Sequence, residues 1–230
     1  MIRVIIFDFN GVISDDERLH CAALRKVLKE EGVQITKEDY DARYLGKDDR
    51  ECFQDVLRPH CSDLKDGELE SLILRKSDYY LKTLESNLHI FPGVIPFIQH
   101  AYTTCSLAIA SGALRREVEF VLERVNLKPY FSCIVTQEDV KRGKPDPEIF
   151  LKTLALINQR HSSTNAVVPA ECLVIEDSRP GIEAAIAAGM RCIAIANSFP
   201  GEQLSAAHKV LPNLTITPGL VKQWIQGWQE

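Results

Sequence analysis

The chain has 230 residues, 45% of them hydrophobic and 26% charged, and this balance excludes a disordered, fibrous or membrane-spanning protein. The formal net charge of −5 leaves no basic excess to attract a polyanion, so we expect no nucleic-acid partner. The apolar run Val4–Phe7 near the start of the sequence is too short for a signal or membrane helix, and the seven cysteines include no Cys-x-x-Cys pair. We therefore expect a cytoplasmic protein with reduced thiols and no membrane partner.

Short apolar runs alternate with longer helical patterns along most of the chain. Because these runs are almost continuously apolar, we expect strands buried on both faces, as in a parallel sheet. The alternation predicts an α/β fold, a Rossmann-like doubly wound parallel sheet covered by helices. The predicted strands are Arg3–Phe7, Cys105–Ala110, Cys133–Thr136, Cys172–Glu176 and Cys192–Ala196.

One interval interrupts this alternation, because it contains charged helical patterns and no convincing strand. Its four predicted helices begin at Leu19, Glu38, Asp48 and Gly67. We expect an all-helical cap domain over residues 15–86, inserted into an α/β core domain of residues 1–14 and 87–230. Hinges are expected near Ser14 and Ser86.

Polar residues follow several predicted strands, where the ligand of an open parallel sheet binds. They are Asp8, Asn10, Ser111, Gly112, Lys144, Glu176 and Asp177. Each has an ordinary structural interpretation: the aspartates and Ser111 can end turns or cap helices, and Lys144 can be an exposed lysine that adds little to stability. Their shared position at strand ends favours a common site.

These residue types suit phosphoryl transfer. Asp8 and Asp177 are hard oxygen ligands of the kind that Mg²⁺ prefers, and Lys144 and Ser111 can hold phosphoryl oxygens. An aspartate on the first strand can attack phosphorus and form an aspartyl phosphate. No G-x-x-x-x-G-K-[ST] or G-x-G-x-x-G motif supports a nucleotide or dinucleotide site.

Four segments resemble the motifs of the haloacid dehalogenase superfamily: Asp8–Val12, Ser111, Gly143–Phe150 and Ile175–Ala185. The helical insertion that opens at Asp15 resembles the cap of the subgroup containing β-phosphoglucomutase and sugar-phosphate phosphatases. The resemblance implies an enzyme that cleaves a small phosphomonoester with Mg²⁺ as cofactor.

The resemblance also implies a role for each matching position. Asp8 would be the nucleophile and a Mg²⁺ ligand, together with the backbone carbonyl of Asn10 and the side chain of Asp177. Glu176 would bind the metal directly or through water. Ser111 with Gly112, and Lys144, would hold the phosphoryl group.

Asn10 departs from the superfamily pattern, which has an aspartate there as general acid and base. An amide cannot donate a proton to a leaving alkoxide and then accept one from water. The chain is therefore either a natural variant with impaired turnover or an engineered trap of an active enzyme. The intact remaining positions favour the engineered trap.

Alternatives remain within and outside the superfamily. The mutase has a polar serine, lysine, asparagine run after its second-motif serine, where this chain has Ala113–Arg115, so a phosphatase is preferred to a mutase. A catalytically silent protein that binds phosphorylated metabolites would explain Asn10. A receiver-like domain phosphorylated on Asp8 would not need the insertion.

Substrate choice is expected to depend on the cap, which closes over the leaving group in such enzymes. Arg50, with Lys47 beside it, is the candidate for an anionic substrate end, and Arg115 is a candidate in the core. Each has the alternative interpretation of a solvated surface charge. We expect a monomer or a weak homodimer.

Overall fold

The computed structural model describes residues 1–59, 66–159 and 165–215. The chain forms a six-stranded sheet in the order β3-β2-β1-β4-β5-β6, and every neighbouring pair is parallel. The strands are β1 (Val4–Phe7), β2 (Ser106–Ser111), β3 (Phe131–Thr136), β4 (Cys172–Glu176), β5 (Arg191–Ile195) and β6 (Lys209–Leu211). The predicted α/β fold is confirmed.

The two faces of β1 show why the apolar runs form a doubly covered sheet. Successive side chains of a strand point to opposite faces. Val4 and Ile6 lie in one core cluster with residues of the helices Glu148–Asn158 and Arg179–Ala187. The ring of Phe7 packs edge-on against Phe97 of the helix Val94–Ala101, with centroids 5.8 Å apart. Burying each large side chain stabilises the fold by about 1.5–3 kcal/mol.

Four α-helices belong to the core: α5 (Val94–Ala101), α6 (Arg115–Arg124), α7 (Glu148–Asn158) and α8 (Arg179–Ala187). They turn apolar stripes towards the sheet; Val118, Val121 and Leu122 of α6 are all fully buried. Helix α8 begins after Ser178, whose hydroxyl accepts a hydrogen bond from the Gly181 N–H, a regular N-cap.

The insertion is all-helical in the residues that the structure describes. Its helices are α1 (Glu17–Glu30), α2 (Lys37–Arg43), α3 (Asp49–Leu57) and α4 (Asp66–Asn87). Contacts divide the chain into two compact units, with Asp16–His89 as the cap unit. These boundaries lie one and three residues after the expected ones at 14/15 and 86/87.

The two chain segments that lead into and out of the cap lie side by side on the core. Ser14 pairs with Ile90 in an antiparallel bridge, and the N–H of Phe91 donates to the carbonyl of Ile13 at 3.1 Å.

Within the described residues, no helix has the length and apolar character needed to span a bilayer.

Candidate active site

The site lies at the carboxyl edge of the sheet, on the central strand β1 and its neighbours. Strand β1 stands between β2 and β4, so that Phe7 pairs with Ile109 on one side and with Ile175 on the other. Asp8 therefore leaves the sheet between Ser111, the last residue of β2, and Glu176, the last residue of β4. A crevice at this switch in strand order is where doubly wound folds bind ligands.

Lys144 reaches this crevice from the loop before α7 and joins two of the acids. Its Nζ donates to Oδ1 of Asp8 at 2.6 Å, to Oε1 of Glu176 at 2.6 Å and to the carbonyl of Ala110 at 3.1 Å. The Lys144 side chain is only 9% exposed. The expectation of an exposed lysine is wrong, because the loop after Gly143 turns the side chain onto the sheet edge.

Glu176 is held in one orientation by the start of α8. Its Oε2 accepts hydrogen bonds from the N–H groups of Asp177 and Ser178 and from the Ser178 hydroxyl, each at 2.9 Å. A Cβ at Gly181 would lie 1.8 Å from Oε1 of Glu176, so only glycine fits in this turn of the helix. The N–H groups at the start of a helix favour a negative charge at this place.

Three carboxylates come together here: Asp8, Glu176 and Asp177 each offer an oxygen within 4.8 Å of the others, and all three residues are buried. Among the described residues this is the one such cluster of possible metal ligands. Its hard oxygen donors match the ligands that Mg²⁺ takes.

Burial and neighbouring charges shift the pKa values of Asp8 and Lys144. Burial raises the pKa of Asp8 to about 7; the ammonium of Lys144 opposes that rise, and the charge of Glu176 adds to it. Burial alone would lower the pKa of Lys144, but the charges of Asp8 and Glu176 raise it above its ordinary value. Lys144 is therefore positively charged at neutral pH, and a bound cation would lower the pKa of Asp8.

The loop that follows Asp8 turns sharply. The N–H groups of Ile13 and Ser14 donate to the carbonyl of Phe9 at 2.8 and 3.1 Å, and Gly11 adopts a positive φ of 76°. A Cβ at Gly11 would lie 1.9 Å from Oδ2 of Asp177. Glycine at position 11 is thus required both by the turn and by the close approach of Asp177.

Ser111 is placed beside the crevice, at the end of β2. The Ser111 hydroxyl is buried and accepts a hydrogen bond from the N–H of Ala113 at 3.1 Å, and Gly112 follows Ser111 directly.

Arg115, the candidate cation of the core, is engaged in an ion pair. Its guanidinium donates to Asp139 at 2.6 Å and to the carbonyl of Ile134 at 3.1 Å. Arg115 thereby ties α6 to the chain around the end of β3.

The candidate cations of the cap also have acidic partners within the cap. Nζ of Lys47 lies 2.6 Å from Asp55, and the Arg50 guanidinium lies 3.6 Å from Glu70. Gly46 has the positive φ expected of a tight turn. The role of Arg50 in substrate choice stays a prediction.

Sequence reasoning missed Asn197 and Ser198, which follow β5. Asn197 Nδ2 donates to the carbonyl of Gly11 at 2.7 Å, and the Ser198 hydroxyl donates to Oδ2 of Asp177. The rule that polar residues after a strand belong to the site would have found them, since the fifth predicted strand ends just before Asn197. The sequence also predicts a C-terminal helix whose Trp224 and Trp228 pack on the sheet or on the chain's own surface. Both residues lie outside the described residues.

The fold and the site define an α/β protein with a buried acidic cluster and a lysine at one sheet edge and a helical insertion after the first strand. Residues 5–195 match the sequence profile of the haloacid dehalogenase-like hydrolases. The chain belongs to this family, which confirms the resemblance found in its motifs.

Individual relatives lie in the same subgroup. The phosphorylated carbohydrates phosphatase of Thermotoga maritima is 34% identical over 193 residues, 84% of each chain. The β-phosphoglucomutase of Bacillus subtilis is 28% identical over 205 residues, 86% of this chain and 85% of the enzyme. The crystal structure of β-phosphoglucomutase from Clostridium difficile has the same fold, with a TM-score of 0.84, 24% identity and 99% of both chains covered.

Proposed function

We propose that this chain is a Mg²⁺-dependent phosphatase of small phosphorylated metabolites, phosphorylated sugars foremost, that works through an aspartyl phosphate and is slowed by Asn10. The observation that carries the proposal is the charged contact of Lys144 with Asp8, 2.6 Å long, beside Asp177 at the carboxyl edge of the sheet. The name of the Thermotoga maritima relative supports the substrate class.

The acidic cluster fits Mg²⁺. Asp8 and Asp177 would hold the ion with the backbone carbonyl of Asn10. Both oxygens of Glu176 already accept hydrogen bonds, so Glu176 would act through its charge or through water. When bound, the ion supplies positive charge that stabilises the phosphoryl oxygens as the bond to the leaving group breaks.

The proposed reaction has two displacements at phosphorus. In the first, a carboxylate oxygen of Asp8 attacks phosphorus, and the bond from phosphorus to the ester oxygen breaks with its electron pair leaving on that oxygen. In the second, the oxygen of a water molecule attacks phosphorus, and the bond from phosphorus to the Asp8 oxygen breaks with its electron pair returning to the carboxylate. The water's proton passes to solvent, and inorganic phosphate is released. Lys144 and Ser111 would hold the phosphoryl oxygens during both steps.

Asn10 limits both displacements in this scheme. The leaving alkoxide needs a proton, and the attacking water must lose one, and an amide serves neither need. An aryl oxide leaves without full protonation, so the first displacement suffers less with an aryl phosphate. The second displacement is then the slow one, and phosphoenzyme accumulates.

The β-phosphoglucomutase relative makes a phosphosugar mutase the second candidate. The stretch after Ser111 weighs against it, because Ala113 and Leu114 are buried apolar residues and the Arg115 guanidinium pairs with Asp139. A phosphatase needs to grip only one phosphate, and Lys144 with Ser111 suffices for that.

Burst kinetics with an aryl phosphate test the proposal. We expect the chain to release about one equivalent of phenol rapidly and then to turn over slowly. Asn10→Asp should speed turnover of an alkyl phosphate by on the order of 10² to 10⁴, the usual contribution of a general acid and base. Asp8→Ala should abolish both phases.

Two outcomes would contradict the proposal. A linear time course, with equal rates on alkyl phosphates for this chain and for Asn10→Asp, would remove the role of position 10. Silence of both forms with tight phosphosugar binding would favour the silent binding protein, and transfer of phosphate within a phosphosugar would favour the mutase.

A further inference from the structure

We propose that Asn197 and Ser198 are positioning residues for the metal site: Ser198 orients the carboxylate of Asp177, and Asn197 fixes the loop that carries the carbonyl of residue 10. This inference rests on the proposed function, because it concerns the same Mg²⁺ ligands.

The two contacts join three separate segments at one point. Consecutive residues of the loop after β5 reach the loop after β1 and the loop after β4: Asn197 Nδ2 donates to Gly11 O at 2.7 Å, and the Ser198 hydroxyl donates to Oδ2 of Asp177. Each contacted residue is a proposed ligand or the direct neighbour of one. The loop after β5 is therefore connected to both sides of the proposed site.

Packing at Gly11 leaves little room for another arrangement. A Cβ on Gly11 would lie 1.9 Å from Oδ2 of Asp177 and 2.7 Å from the Ser198 hydroxyl. The backbone of residue 11, the Asp177 carboxylate and the Ser198 hydroxyl are thus in mutual contact. Because this space is filled, no larger side chain can enter it to replace the Ser198 hydroxyl as the partner of Asp177.

The sheet holds the loop after β5 in position. Glu176 pairs with Ala194 in the register of β4 and β5, so β5 ends at the same edge as the site. Beyond the strand, the N–H of Ala196 donates to Leu211 O at 2.8 Å, and the N–H of Asn197 donates to Ile195 O at 2.9 Å. The backbone at Asn197, next to Ser198, is therefore held by the sheet independently of any metal.

The Ser198 hydroxyl and the Asn197 amide fix different parts of the proposed site. A hydroxyl that donates to one oxygen of Asp177 fixes the rotation of that carboxylate about its Cβ–Cγ bond. An amide that donates to Gly11 O fixes the peptide between Gly11 and Val12, one residue beyond the carbonyl of residue 10. Loss of partners that orient metal ligands typically weakens metal binding by about 10–100-fold.

Binding of Mg²⁺ to the whole chain tests the inference without any turnover. Mg²⁺ affinity is measured by competition with Mn²⁺, with free Mn²⁺ read from its electron paramagnetic resonance signal. We expect Ser198→Ala and Asn197→Ala each to weaken Mg²⁺ binding by about 10–100-fold. Ser198→Thr keeps a hydroxyl and should restore the affinity to within about threefold. The control is Ser205→Ala, an exposed serine of the same unit.

The melting temperature without Mg²⁺ separates positioning from stability. We expect Ser198→Ala to melt close to the unaltered chain, while its stabilisation by added Mg²⁺ is smaller. Unchanged Mg²⁺ affinity in Ser198→Ala would overturn the inference while leaving the proposed function in place. A chain that binds no Mg²⁺, or whose affinity is unaffected by Asp177→Ala, would overturn the proposed metal and the inference with it.

Discussion

Lys144 balances the charge of two buried carboxylates at the sheet edge. Its ammonium has three hydrogen-bond acceptors, Asp8, Glu176 and the carbonyl of Ala110, which match its three protons. Without it, Asp8 would lose the ammonium that opposes the rise of its pKa, and its carboxyl would either bind a proton or remain a buried charge without this partner. Breaking a buried ion pair by removing one partner is far more costly than losing a surface pair.

We therefore predict that Lys144→Ala lowers the free energy of unfolding by on the order of 3 kcal/mol in the absence of metal. In urea denaturation, adding Asp8→Asn to Lys144→Ala should recover part of that loss, since an amide at position 8 needs no cationic partner. Lys141→Ala, on an exposed lysine of the same loop, is the control and should change stability by less than about 0.5 kcal/mol. Strictly additive losses for Lys144→Ala and Asp8→Asn would show that the two charges are not coupled.

At the scale of single helices, α1 begins the cap with Glu17, an acidic residue whose burial disfavours its charged form. Glu17 lies in its first turn, and the hydroxyl of Tyr40 in α2 donates to Oε1 of Glu17 at 2.5 Å. Burial raises the pKa of Glu17 from 4.5 to about 7; the hydrogen bond from Tyr40 opposes the rise, and the charge of Asp16 adds to it. The folded cap therefore binds this proton more tightly than the unfolded chain does.

Stability should consequently fall as Glu17 ionises between pH 4.5 and 7. Glu17→Gln keeps an acceptor for Tyr40 and cannot ionise, so its free energy of unfolding should exceed that of the unaltered chain. The gain should grow from pH 4.5 to 7 and level off above pH 7 at on the order of 1 kcal/mol.

Urea denaturation at several pH values checks this pH dependence. Glu85→Gln, on an exposed residue of α4, is the control and should show no such trend. A gain for Glu17→Gln that is the same at pH 5 and pH 8 would mean that ionisation of Glu17 is not its cause.

The elements that sequence reasoning predicts are those with long or fully apolar patterns. Five strands are confirmed to within two residues, and β4 has the predicted bounds. Strand β6 was missed because it has three residues and starts at the exposed Lys209. On α8, the helical spacing of Ile182, Ala185 and Ile186 predicts that Ile186 faces the core, but this side chain is 43% exposed. Short strands and the edges of helix faces depend on tertiary neighbours that a pattern does not contain.

The same distinction holds for the site. Asp8, Lys144, Glu176 and Asp177 are predictable because parallel topology brings strand ends together, and the structure places them within hydrogen-bond or ligand distance. The acidic partners of Arg50 and Arg115 are not predictable from one sequence, because Glu70 and Asp139 come from other elements. An arginine that looks available in the sequence can be engaged in the fold.

For the whole molecule, the pairing of Ser14 with Ile90 brings the two ends of the cap unit together on the core. Paired residues of an antiparallel bridge have Cα atoms about 5 Å apart. A short linker can therefore span the gap that removal of Asp16–His89 would leave.

We predict that a chain with Asp16–His89 replaced by a short Gly-Ser linker folds cooperatively and still binds Mg²⁺, because all proposed ligands belong to the core. Circular dichroism during urea unfolding and Mn²⁺ competition provide the two measurements. An Asp177→Ala change in the shortened chain is the matched control and should remove binding. A shortened chain without a cooperative transition would show that the core depends on the cap for its stability.

The central position of β1 in the sheet also affects how the chain folds during its synthesis. Val4 pairs with Ser106 on one side and with Cys172 on the other, so the strand that carries Asp8 leaves the ribosome long before either neighbour exists. At about 5–20 residues per second, the roughly 170 residues up to β4 take on the order of ten seconds or more to synthesise. The helices of the cap, whose contacts are more local, have that interval to fold. The apolar residues Val4–Phe7 have no strand partner until β2 is made and lack their second partner until β4 is made, which leaves the nascent β1 open to wrong pairing in that time.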